Sequence, residues 1–134
     1  MLLTQGRLAL ERGSTAEART ALSSVISGLR PIATTVRALL ARSELNLREG
    51  RVDDAGADAR QALAVSQMLQ GGIAYSSRTG LAWLMIGRVR SAQGDAPSAH
   101  EAFQAAVDHL SHTVDANYPA LLDAQRRLGA GAAG

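Results

Sequence analysis

Trp83-Leu84-Met85-Ile86-Gly87, then Gln93-Gly94-Asp95, then Ala99, Phe103 and Ala106 form the stretch that decides the fold. Apolar residues return every three or four positions on both sides of Gly94, the period of a helix with one buried face. Gly94 breaks the pattern where a helix C-terminus favours a left-handed residue. Asp95 follows as a good capping residue, and Pro97 suits the first turn of the next helix. The stretch therefore reads as two helices joined by a tight turn. Gly87 and Ala99 are small enough to let those helices approach closely, while Trp83 and Phe103 fill the space beside the contact.

Working outward, the same columns recur twice more. Gly13, Gly50 and Gly94 are each preceded, seven positions earlier, by Gly6, Ser43 and Gly87. Five positions after each glycine come Ala18, Ala55 and Ala99, then Leu22, Ala59 and Phe103, then Val25, Ala62 and Ala106. Such recurrence marks a repeated hairpin that buries its apolar face by stacking on its neighbours. Helical spacing along the rest of the chain predicts helices over 1–12, 15–29, 32–49, 52–70, 76–93, 96–111 and 119–128. No segment alternates long enough to be a strand. The expected fold is all-α: a right-handed stack of antiparallel hairpins, with repeats near 1–29, 32–70 and 76–111. One domain then spans 1–128, closed by a capping helix over 119–128 that covers the last hairpin with Leu121, Leu122 and Leu128. Residues 129–134 read as a flexible tail.

The third copy resembles the tetratricopeptide repeat, whose pattern runs Trp, Leu-Gly, a glycine turn, Ala, an aromatic residue and Ala. The second copy departs from it, with Arg42 where the family has Leu and Leu39 where it has Trp. The turn glycines at 13, 50 and 94 are spaced more widely than in the commonest form of the repeat. Tyr75-Ser76-Ser77 and Tyr118-Pro119-Ala120 suggest that a fourth repeat begins at the C-terminal helix and stops. Longer repeats of this kind resemble those of kinesin light chains and of bacterial signalling proteins. The resemblance implies a non-catalytic protein–protein interaction module, the C-terminal part of a larger regulatory or signalling protein, beside a kinase or a helix-turn-helix domain.

Composition excludes several kinds of chemistry. There is no cysteine, so disulfide scaffolds, thiol nucleophiles and cysteine–zinc sites are ruled out. All 14 basic residues are arginine, which removes lysine Schiff bases and the phosphate-loop lysine. With 26 alanines and 18 leucines, the chain favours helix over sheet. Aromatic residues make up 3%, too few for a base-stacking platform. No apolar run reaches membrane-spanning length and no signal-peptide pattern opens the chain, so the expected location is cytoplasmic. The pI near 9.9 is nominally a nucleic-acid signal, but the arginines are scattered along the sequence among carboxylates.

No motif for catalysis or cofactor binding stands out, and neither enzyme activity nor a cofactor is expected. His109 and His112 are spaced like a pair of metal ligands but lack a third, and a polar helix end explains them as well. His100 falls on the packed side of its helix and reads as a hydrogen-bonded interface histidine. Asp53, Asp54 and Glu49 cluster at a helix junction, where carboxylates complement a helix N-terminus.

A surface remains. In a stack of hairpins the first helix of each pair lines the concave face. The residues expected there are Leu3, Arg7 and Leu10 in the first copy, then Arg37, Leu40, Ala41, Glu44 and Leu47. The third copy supplies Leu81, Leu84, Met85, Arg88 and Ser91. Stacking sets Leu3, Leu40 and Leu84 in one row and Arg7, Glu44 and Arg88 in the next. One reading is a groove for a partner's helix or extended peptide; the other is that the leucines pack between repeats and the charges pair with one another. The groove has no Lys and so does not match the family's carboxylate-gripping members. Two other functions are open to such a chain: a self-association scaffold, and an arginine-based nucleic-acid-binding array. The first helix starts abruptly at Met1, with apolar Leu2, Leu3, Leu8 and Leu10, so its edge is expected to pair with another copy or an upstream segment.

Overall fold

The computed structural model describes residues 15–27 and 32–133, and six helices make up most of these described residues. They are α1 (Thr15–Ser27), α2 (Ala33–Arg48), α3 (Val52–Gln70), α4 (Ser77–Ala92), α5 (Ala96–Ser111) and α6 (Pro119–Ala133). No strand occurs among the described residues. Each helix packs on the next, and α4 also touches α2 and α6, so these three lie side by side. The architecture is the all-α, hairpin-by-hairpin packing expected from the periodicity. None of the helices in the described residues is long and apolar enough to cross a membrane. The helix expected over 1–12, with Leu3, Arg7, Leu10 and the N-terminal edge, lies outside the described residues.

Two turns end in the same way. Gly50 and Gly94 take φ values of 75° and 78°, left-handed conformations that a side chain disfavours. After α2, the Gly50 amide donates to Leu47 O and the Arg51 amide to Asn46 O. After α4, Gly94 donates to Ser91 O and Asp95 to Arg90 O. Both satisfy helix-end carbonyls by the glycine-terminated Schellman pattern. Asp95 then caps α5, its side chain accepting from the Ser98 amide at 3.2 Å, with Pro97 in the first turn as expected.

The C-terminus corrects the expectation of a tail from 129. α6 continues to Ala133. Gly129 and Gly131 each weaken a helix by about 1 kcal/mol, but the alanines among them are the best helix formers. The glycines lower the propensity without supplying a stop.

The core explains the repeat columns. A Cβ on Gly87 would overlap the Phe103 ring, so α4 and α5 meet there at the closest approach the sequence suggested. Trp83 packs against the cluster of Leu84, Ala99, Phe103, Ala106 and Ala124. In the second hairpin, Ser43 stands in the place of Gly87 and is fully buried. Its hydroxyl donates to Ala55 O at 2.7 Å, and Ala59 replaces the phenylalanine.

Arg42, the apparent misfit of the second copy, forms a two-pronged bond with Asp58, at 2.9 and 2.8 Å. The bond to Asp58 raises the Arg42 pKa above its ordinary value, outweighing the opposing effect of burial. Asn46 donates to the same carboxylate at 3.1 Å, and Arg19 of α1 reaches both Asn46 and Glu49. At the equivalent positions of the third hairpin stand Ile86 and Ala102, both buried in one apolar cluster. One hairpin therefore fills this position with an ion pair and the other with hydrocarbon.

Candidate functional site

A groove of about 690 Å³ runs between α2 and α4. From α2 it takes Arg37, Leu40, Ala41, Glu44 and Arg48; from α4 it takes Arg78, Leu81, Leu84, Met85 and Arg88. Tyr118, just ahead of α6, completes the lining. Eight residues expected on this face by their spacing are thus brought together: Arg37, Leu40, Ala41, Glu44, Leu81, Leu84, Met85 and Arg88. Leu3 and Arg7 lie outside the described residues.

Some of these eight residues pack into the interior or pair with one another, and all of them line the groove. Leu84 and Met85 are 8% and 7% exposed and belong to the core clusters beneath, so they form a floor shared with the interior. Leu40 packs against the cluster that holds Met85 and against another around Val36 and Leu39. Arg88 bonds Glu44 across the two helices at 3.1 Å, with both side chains partly exposed, which places the equivalent rows of successive hairpins side by side. Leu81 is half-buried and lines the groove beside that floor.

Arg48, Arg78 and Tyr118 were not legible from the repeat columns. The sequence reading followed a stripe through Arg37, Leu40, Glu44 and Leu47. An α-helix has 3.6 residues per turn, so the face drifts, and by the third turn it is carried by Arg48. Leu47 instead packs with Ala55 and Ala59. Ser91 is exposed and does not line the groove. Tyr118 comes from the segment before the next helix, which no hairpin column covers.

Scatter along the chain also misrepresents the charge. Four of the 14 arginines converge on this groove against one carboxylate, Glu44, which Arg88 already engages. Arg37, Arg48 and Arg78 are exposed and form no ion pair among the described residues.

The histidine pair at the end of α5 has a different role. The Ser76 amide donates to His109 Nδ1 at 3.1 Å, tying the turn before α4 to the end of α5. Tyr75 stacks on His112 at 3.8 Å between ring centres and meets His109 edge-on. Among the described residues no group of three or more His, Cys, Asp or Glu side chains could hold a metal ion. His100 is half-exposed and has no hydrogen-bond partner among the described residues, which corrects its reading as a bonded interface histidine. Glu49 pairs with Arg19 and Arg51, while Asp53 and Asp54 lie in the first turn of α3.

Burial lowers the His109 pKa from its ordinary value, outweighing the opposing pull of Asp108, while His112 lowers it further. The folded chain thus prefers the neutral ring, whose Nδ1 can accept the Ser76 amide. This contribution to stability is fully present above pH about 6.5 and is lost as pH falls through the lower folded pKa. A small fall in melting temperature between pH 7 and pH 5 is expected, and His109→Ala should remove that component. An unchanged pH profile in His109→Ala would assign the effect to other groups.

Set beside known proteins, the sequence matches no protein family and no curated protein.

Proposed function

We propose that the chain is a non-catalytic interaction module of tetratricopeptide type that holds a peptide or helical segment of a partner protein in the α2–α4 groove. The observation that carries this is an apolar strip, open to solvent, bordered by arginines that no carboxylate of the described chain engages. Partner segments are commonly held by apolar anchors in a groove with charged groups at its margins. The repeat assignment is supported by the close contact at Gly87 and by the matching helix ends at Gly50 and Gly94.

Selection of a random-sequence peptide display library on the immobilised protein tests this reading. Leu81 lines the groove and lies outside the apolar core clusters, so Leu81→Asp should spoil the floor and leave the fold intact. Clones should be recovered whose binding falls at least tenfold on the Leu81→Asp variant, roughly the effect of placing one charge in an apolar contact. An absence of clones, or clones indifferent to Leu81→Asp, would overturn the proposal.

The convergence of four arginines also supports a second reading, binding to the backbone of a nucleic acid. The leucine and methionine floor favours the peptide. Duplex DNA bound with a steep salt dependence and indifferent to Leu81→Asp would favour the second reading instead.

A further inference from the structure

Building on the groove reading, we infer that the occupant is a peptide segment with an apolar centre and carboxylates at both ends. The charge in the groove is not spread evenly. Arg37 and Arg78 stand in the early turns of α2 and α4, and Arg48 is the last residue of α2. Between them lie Leu40, Ala41, Leu81, Leu84 and Met85, together with Arg88 and Glu44, which engage each other. The groove is thus cationic at its two ends and apolar, with an internally neutralised pair, along its middle.

Arg37 and Arg48 are eleven residues apart on one helix, about 16 Å along its axis. An extended strand covers that span in about five residues and a helix in about eleven. A matching ligand therefore carries its acidic groups at one of those two separations. A groove lined by one sign of charge raises the local concentration of oppositely charged ligand, and a guanidinium can grip a carboxylate with two parallel bonds. An occupant without terminal carboxylates would leave three arginines with only solvent as partner and would forgo that attraction.

The experiment is the same library selection, repeated on a variant carrying Arg37→Glu, Arg48→Glu and Arg78→Glu. All three side chains are exposed and unpaired among the described residues, so the variant should fold as the parent does, which circular dichroism checks. On the parent, clones sensitive to Leu81→Asp should be enriched in Asp and Glu on both sides of an apolar centre, at one of the two separations. Their affinity should fall about tenfold on the triple variant, as expected for three exposed ion pairs lost together. Selection on the triple variant should enrich Lys and Arg at the same places. Leu81-dependent clones with no acidic ends, or with affinity unchanged on the triple variant, would overturn this inference and leave the groove reading standing. If no clone depends on Leu81, both readings fall. Preferential binding of duplex DNA, lost in the triple variant but not in Leu81→Asp, would overturn the peptide assignment in favour of a nucleic acid.

Discussion

Asp58→Ala should lower the unfolding free energy by about 2–4 kcal/mol, because it leaves the part-buried Arg42 guanidinium without its carboxylate partner. Asp58 is 5% exposed and receives three hydrogen bonds, two from Arg42 and one from Asn46. Removing the carboxylate leaves all three donors without it. The chain contains its own remedy. Changing Arg42→Ile together with Asp58→Ala installs the pair that the third hairpin carries as Ile86 and Ala102. That double variant should recover most of the loss, since a buried ion pair is often no more stable than hydrocarbon of similar shape. Urea titrations of the single and double variants decide it. A double variant as unstable as Asp58→Ala would mean that the two hairpins are not equivalent at this contact.

The second large effect concerns the other end of the same comparison. Gly87→Ser should cost about 1–3 kcal/mol, because the added Cβ meets a buried ring that cannot swing clear. Phe103→Ala alone should cost about 3–5 kcal/mol, through lost contacts with Trp83, Leu84 and Ala124 and the cavity left behind. Combined, the two changes reproduce the Ser43 and Ala59 of the second hairpin, and their joint cost should be clearly less than the sum. Additive costs would show that Gly87 and Phe103 do not share the contact.

These two contacts also show what could be read from the sequence. Small residues seven positions before a turn glycine marked the close approach, and the glycines at 50 and 94 fixed the helix ends, because both depend on local geometry. Arg42 was opaque for the opposite reason. Its partner Asp58 lies on the next helix, and a charge in an apolar column looks like a defect until the opposing helix is seen to carry its complement. The groove was legible as a stripe on α2 and α4 but not at its far end, where helical drift exchanged Leu47 for Arg48. Its cationic character was hidden too. Glu44 stands between Arg37 and Arg48 in sequence, and Glu49, Asp53, Asp54 and Asp58 stand between Arg48 and Arg78, yet the three aspartates all belong to α3 rather than to the groove. The helical state of 129–133 was missed because glycine was read as a stop, although no turn follows it.

The bond from Arg88 to Glu44 joins helices that belong to consecutive units, and each described helix otherwise touches mainly its immediate neighbours. Growth in such an arrangement is linear. Another hairpin added to the stack would lay one more row beside the existing ones without rebuilding them. On the proposed reading, the length of segment held would be counted in hairpins, and the identity of each row would be decided by a handful of side chains on a single helix. Specificity could change row by row while the interior between hairpins stays as it is.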